Sequence, residues 1–251
     1  MDEIEVDHLT DVDLADPVLV EGLPGVGHVG KLVAEHLIEE IDSTLIARVY
    51  SEHFPPQVGI DEEGVATLAH AEVYGIKTEG RDLVVLTGDH QAGDNTGQYR
   101  LAAAFLDEAE RLGADTAYSL GGVPTGELIE EYSVLGAVSG PDLREPLTEA
   151  GVEFRSEEPT GGIVGTSGLL LGLGDRRGFD VACLMGETSG YLVDPKSARA
   201  VLEILQELLG FEVPFEALDD RAEEMEEVIN RLQNMEEAQS PGGGEDLRYI
   251  G

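Results

Sequence analysis

Gly25, Gly27 and Gly30 stand at the spacing G-x-G-x-x-G, the turn that brings a helix N-terminus against the phosphates of a dinucleotide. Gly25, Gly30 and Lys31 also satisfy the first part of a phosphate-binding loop, G-x-x-x-x-G-K. An apolar run (Val18, Leu19, Val20) precedes them and a helical period follows (Val29, Leu32, Val33, Leu37, Ile38, Ile41). That is the strand, turn and helix either chemistry needs. Gly25, Gly27, Gly30 and Lys31 are therefore the candidate anion-binding set, with the free amides of a helix start as donors. Two features count against nucleotide chemistry. Position 32 is Leu, where a phosphate loop places a hydroxyl on magnesium. A ribose-binding acid is due about 20 residues on, but Glu52 comes late and Phe54-Pro-Pro-Gln57 follows it. The same glycines equally read as positions that let a helix start pack closely on a sheet.

Other residues have the types for catalysis. Asp89, His90, Asp94 and Asn95 share one loop after the apolar run Leu83-Val-Val-Leu86, where α/β ligand sites cluster. Glu127, Glu130 and Glu131 follow a second glycine turn, and Glu187-Thr188 follows a late apolar run. Ser119, Ser133, Ser167 and Ser189 are the candidate nucleophiles, yet none lies in G-x-S-x-G; Gly165-Thr-Ser-Gly168 is one residue short. The six His residues show neither H-x-x-x-H nor H-E-x-x-H, so no zinc site and no cofactor is expected. His28 and His90 are the two that stand beside the glycine turn and the acidic loop.

Charge says more about the solvent than about chemistry. The chain has 52 acidic and 15 basic residues in 251, a net charge of −37, and only Lys31, Lys77 and Lys196 as lysines. The acids are spread through good strand and helix patterns rather than gathered in a tail. Such self-repulsion is screened in molar salt, where the Debye length falls to about 3 Å, so a salt-rich, halophilic archaeal cytoplasm is the expected setting. No basic patch exists to neutralise phosphates, which argues against nucleic acid. No apolar run approaches the ~18 residues of a membrane span, and the start Met1-Asp-Glu-Ile-Glu lacks a signal peptide's basic region. The single Cys183 permits no internal disulfide and lies in an apolar run as a core filler.

Strands are predicted near residues 4–9, 18–20, 44–50, 65–76, 82–86, 116–120, 134–138 and 181–185, with a turn at Glu62-Glu-Gly64. Helices are predicted from Val29, over 98–112 up to Gly113, and briefly over 143–150. Their alternation predicts an α/β fold, an open and mainly parallel sheet with helices on both faces, over residues 1–196. Residues 197–238 read as a helical hairpin appendage. Its first helix carries Leu202, Leu205, Leu208 and Leu209. Its second carries Phe215, Leu218, Ala222, Met225, Ile229 and Leu232 at spacings of three and four. That seam packs either on the first helix or on another subunit. Residues 239–251 read as a glycine linker, Gln239-Ser-Pro-Gly-Gly-Gly-Glu-Asp246, carrying Leu247-Arg-Tyr-Ile-Gly251.

Four blocks in order resemble one family. Gly22-Leu-Pro-Gly-Val-Gly-His-Val-Gly30, Ser119-Leu-Gly-Gly122, Gly161-Gly-Ile-Val-Gly-Thr-Ser-Gly-Leu-Leu-Leu171 and Cys183-Leu-Met-Gly-Glu-Thr188 resemble the archaeal proteasome assembly chaperone family, also labelled ATP-grasp-like. With Pro195 opening a helix, the resemblance covers roughly residues 17 to 210. It implies a non-enzymatic, cytoplasmic chaperone that forms a homo-oligomer and binds proteasome core α-subunits. It also implies a docking tail of the form hydrophobic–Tyr–any, received between α-subunits, which here places partner binding on Leu247, Tyr249, Ile250 and Gly251. The match departs from that form: Tyr249 is third from the end and Arg248 occupies the apolar slot, so Leu247 or Ile250 takes its place. The competing reading is a phosphorylase- or hydrolase-like enzyme, or an ATP-dependent ligase, using the Gly25–Gly30 turn as an anion cradle.

Overall fold

The computed structural model describes residues 3–156 and 162–239. Eight strands form one sheet in the order β1-β3-β6-β7-β2-β8-β10-β9. They are β1 (Ile4–His8), β2 (Val18–Gly22), β3 (Ser43–Ser51), β6 (His70–Ile76), β7 (Leu83–Gly88), β8 (Thr116–Pro124), β9 (Val134–Val138) and β10 (Asp180–Thr188). The central four, β7, β2, β8 and β10, run parallel. The flanks β1, β3 and β6, and the edge strand β9, are antiparallel. A separate ribbon, β4 (Val58–Ile60) and β5 (Ala66–Leu68), turns at the expected place. There Asp61 Oδ1 accepts from the amides of Glu63 and Val65 at 3.0 and 2.8 Å.

The α/β architecture expected from the sequence is present, with helices on both faces. The helices are α1 (Val29–Glu40), α2 (Asn95–Leu112), α3 (Arg144–Glu149), α4 (Thr166–Arg177), α5 (Pro195–Leu209) and α6 (Glu216–Gln239). The period of two sorts the sheet's side chains. Val18 and Val20 of β2 join Leu32, Val33 and Leu37 of α1, and Leu202 and Leu205 of α5, in one core. Leu19 of β2 and Val84 and Leu86 of β7 join Leu101 and Phe105 of α2 and Leu170 of α4 in the other. Strands covered on both faces are mainly apolar, which is why β2 and β7 begin with the runs Val18–Val20 and Leu83–Leu86. Each fully buried Leu or Val contributes about 1.5–3 kcal/mol.

Local chemistry sets the helix ends. Asp94 caps α2 by accepting from Gly97 N–H at 3.0 Å, and Gly113 ends it in the left-handed conformation at φ 90°. Asp194 caps α5 by accepting from Ser197 N–H at 3.1 Å, with Pro195 in the first turn. His36 of α1 is buried and donates Nε2–H to the Pro214 carbonyl at 2.7 Å, tying α1 to the segment that enters α6.

In the hairpin of α5 and α6, Leu218 and Ala222 are buried and Phe215 is half-buried against the first core. The near half of the heptad-like seam therefore packs within the chain. The side chains of Ile229 and Leu232 lie outside what the structure describes. So does the tail: Leu247, Tyr249, Ile250 and Gly251 fall beyond residue 239. Among the described residues, no helix is long and apolar enough to cross a membrane.

Candidate functional site

The glycine-rich blocks, far apart in sequence, meet at the carboxyl ends of β2, β8 and β10. Gly30, in the first turn of α1, lies against β8: a Cβ there would sit 2.3 Å from the Leu120 carbonyl oxygen. Gly27 has φ +63°, and a Cβ on it would meet Thr188 Oγ1 of β10 at 2.9 Å. The Gly27 carbonyl in turn accepts from the Asp194 amide at 2.9 Å, at the start of α5. A helix start can approach a strand this closely only where no side chain intervenes.

Beneath the glycines is a buried polar knot. Glu21, in the apolar run of β2, is 1 % exposed and shares the face of Leu19 toward α2 and α4. Its carboxyl accepts from the Leu23 amide at 3.1 Å and from the Ser167 hydroxyl at 2.9 Å. Ser119 of β8 donates to the Ser167 carbonyl at 3.4 Å, and Cys183 of β10 meets Ser119. Three of the blocks thus contribute one side chain each, and Glu21 stands immediately before the first block, Gly22–Gly30. Burial pushes the Glu21 carboxyl up from 4.5 to about 7, against the pull of Ser167 and Leu23. Burial likewise pushes the Cys183 thiol up to about 12, which leaves it inert as a nucleophile. Glu21 was not singled out from the sequence. Its signal is a lone acid inside Val18-Leu-Val-Glu-Gly22, a strand that is otherwise apolar.

The residues expected to bind an anion sit above this knot. Lys31 donates to Asp89 Oδ1 at 2.6 Å and lies 3.5 Å from Glu35 Oε1. Burial draws the Lys31 ammonium down, but the hydrogen bond to Asp89 and the charge of Glu35 outweigh it and its pKa is raised. The hydrogen bond from Lys31 holds the Asp89 carboxyl below its usual range. Two amides of the turn are satisfied locally, His28 by the Gly25 carbonyl at 3.1 Å and Val29 by Val26. Beside Asp89 and His90 opens a cleft of about 470 Å³ between α1 and the β4–β5 ribbon, with Glu35, Glu39, Asp61 and Glu72 among its walls. Its field repels anions.

The catalytic candidates are separated. Asp94 caps α2 and also meets His53 Nδ1 at 2.8 Å. His90 meets Gln57 at 2.8 Å, His8 meets Glu108 at 3.1 Å and His70 meets Glu72 at 3.3 Å. Glu187 is paired with Arg155 at 2.6 Å. Ser167 faces a carboxyl, and none of Ser119, Ser133, Ser167 and Ser189 is hydrogen-bonded to a histidine among the described residues. No group of three His, Cys, Asp or Glu residues there is placed to hold a metal. His28 is exposed at φ 54°, a left-handed conformation uncommon for any residue but glycine.

The chain as a whole is similar to known proteins. Residues 19–233 match the PAC2 family. The chain belongs to that family. An uncharacterized protein of Methanocaldococcus jannaschii is 42% identical over 244 residues, covering 95% of this chain and 93% of that protein. The crystal structure of Pyrococcus furiosus PbaB, an archaeal proteasome activator, superposes with a TM-score of 0.87 at 40% identity, covering 93% of this chain and 100% of that one. Pyrococcus furiosus PbaA, an archaeal homolog of proteasome-assembly chaperone, gives 0.76 at 31% identity over 93% and 94% of the two chains. In this chain the four blocks lie where the central strands, α1 and α4 meet.

Proposed function

We propose that this chain is a non-enzymatic partner of the proteasome core, a cytoplasmic homo-oligomer that engages core α-subunits through the segment Leu247–Gly251. The observation that carries the reading is the likeness to PbaB along that protein's whole length, at 40% identity. The glycine blocks support it, because their close approaches are used to join strands and helices. Lys31, the cation a phosphate would need, already serves Asp89 and Glu35.

Beyond α6 the chain continues with Ser240-Pro-Gly-Gly-Gly244 and then Leu247-Arg-Tyr-Ile-Gly251. A glycine linker supplies reach, and an apolar segment with one Tyr supplies an anchor for a pocket. Binding energy at such contacts concentrates in few residues, aromatic ones above all. Several tails on one oligomer add avidity without further contacts.

Tyr249→Ala is therefore expected to abolish co-purification with proteasome α-subunits from a high-salt lysate. Oligomer mass and melting temperature should stay as in the unaltered chain. Retained co-purification would remove Tyr249 as the anchor, and a fall in mass would make the segment a clasp between subunits.

A further inference from the structure

The ribbon of β4 and β5 stands apart from the eight-stranded sheet. Its strands pair with each other and, among the described residues, with no other strand. A two-stranded ribbon is marginal on its own, and this one has an apolar face. The register sets Val58 opposite Leu68 and Ile60 opposite Ala66, so these four share a face, while Gly59 and Thr67 share the other. Val58 is 50%, Ile60 69% and Leu68 54% exposed, and Val65 at the turn is 54% exposed. Aliphatic side chains gathered on a strand pair with open edges mark a place where another chain adds.

Two clefts, each of about 470 Å³, flank the ribbon. Gly59 and Thr67 line the one toward α1, Val58 lines the other, and Gln57, Leu68 and Ala69 line both. The second cleft is mainly apolar, with Phe54, Pro55 and Pro56 as walls. The first is lined by Glu35, Glu39, Asp61, Glu72 and Asp89 and, among the described residues, by no Lys or Arg. Three cations outside that lining serve four of the acids: Lys31 pairs with Glu35 and Asp89, Arg48 with Glu72, and Arg221 with Glu39. Burial raises the Glu72 carboxyl, but hydrogen bonds from Tyr74 and Arg48 outweigh it, so its pKa is lowered and the group stays ionised. Asp61 accepts from amides of the turn, and Glu62 and Glu63 follow it there. Negative charge therefore remains in excess along this side of the ribbon.

A strand added to the ribbon's edge turns alternate side chains to its two faces. One set falls against the apolar cleft and the other against the acids. We propose that the ribbon receives an extended segment of another protein in which Lys or Arg alternates with large apolar residues. The apolar residues pack on Val58, Leu68 and Phe54, and the basic ones meet Glu35, Glu39 and Glu72. Charge complementarity selects this occupant: the acids draw a basic segment, whereas a second copy of this chain would set Asp61, Glu62 and Glu63 against like charge. Pairs formed inside a cleft are screened less by salt than exposed ones. This contact is separate from Leu247–Gly251 and goes beyond the proposed function.

The probe is a fluorescein-labelled peptide of four Lys-Val repeats, followed by fluorescence anisotropy with the full chain in about 1 M KCl. Saturable binding is expected, with peptides of four Glu-Val or four Lys-Ser repeats at least about tenfold weaker. Leu68→Ser, and Glu35→Gln together with Glu39→Gln, should each weaken Lys-Val binding at least about tenfold with an unchanged circular dichroism spectrum. Glu223→Gln with Glu224→Gln, the same change of charge on α6, should leave it within about twofold. Bound peptide should slow hydrogen exchange at the amides of Val58–Ile60 and Ala66–Leu68. No saturation by about 1 mM peptide, equal binding of either control peptide, or an equal loss with the α6 pair would overturn the proposal. Tighter binding by the chain truncated after Gln239 would give the ribbon to Leu247–Gly251 instead, and a fall in oligomer mass with Leu68→Ser would give it to a second copy; either result also overturns it. Truncated protein that loses the proteasome but keeps the peptide separates this contact from the tail.

Discussion

Moved from about 3 M to about 0.1 M KCl, the protein is expected to melt at least about 10 °C lower, with part of the population unfolded before heating. The cause is the excess of 37 negative charges, screened within about 3 Å in molar salt but felt over about 10 Å in dilute buffer. Ion pairs act the other way, and their size decides the outcome. Arg177 with Asp107, Arg221 with Glu39, Arg231 with Glu227 and Lys196 with Glu226 all sit at the surface. Each such pair contributes about 0–1 kcal/mol and strengthens a little as salt is removed. Only 15 basic residues are available to form them, against 52 acids, so most carboxylates gain nothing from dilution. A domain of this size shifts by about 2–4 °C per kcal/mol, so a net repulsion of about 4 kcal/mol suffices for the expected change. Calorimetric melts across the salt range provide the check. A melting temperature that holds or rises on dilution would remove the argument for a salt-rich setting.

Glu21→Gln is expected to stabilise the protein at pH 8 by up to about 3 kcal/mol, and to change little near pH 4.5. The magnitude follows from a carboxyl raised from 4.5 to about 7, at about 1.4 kcal/mol per unit. The folded state holds its proton more tightly than the unfolded chain does. The contribution is therefore fully present below pH 4.5 and is lost as pH rises through about 7, where an ionised group must stay buried. Gln carries no charge at any pH, and it keeps an oxygen for the Leu23 amide and an amide for Ser167. Denaturant titrations of both proteins at pH 5, 6, 7 and 8 in molar KCl isolate the difference from the many surface acids they share. A variant destabilised equally at every pH would mean that the hydrogen bonds to the carboxyl outweigh its desolvation.

The elements whose sequence signal matches their role were legible. β2 and β7 open on the apolar runs Val18–Val20 and Leu83–Leu86 because both their faces are covered, and β9 falls at residues 134–138 as read. The helix before Gly113 ends where the left-handed glycine requires. Helix α4 escaped the reading of its residues, because Gly168, Gly172 and Gly174 interrupt it, each costing about 1 kcal/mol of helix propensity relative to Ala. Two of them have a tertiary cause: a Cβ on Gly174 would lie 2.5 Å from Val181, and one on Gly168 2.1 Å from the Ile163 carbonyl. Strand lengths were also short in the reading. β8 and β10 continue to Pro124 and Thr188 through glycines that pair in the ladder without packing a side chain. The order of the four blocks was visible in the sequence, but not that Glu21, Ser119, Ser167 and Cys183 meet. That convergence depends on the parallel pairing of β2, β8 and β10, whose register sets Ser119 opposite Glu21 on one side and Cys183 on the other.

The proposed contact between this PAC2 protein and the proteasome core through Leu247–Gly251 is tested most directly by a pull-down. Intact protein and protein truncated after Gln239 are each immobilised and exposed to native lysate in about 3 M KCl, where charge-driven contacts are screened. The account predicts that proteasome α-subunits are retained by the intact chain and absent from the truncated one, with both baits of equal oligomer mass. Equal retention by both would contradict the tail as the contact, and no α-subunit on either would contradict the proteasome as the partner.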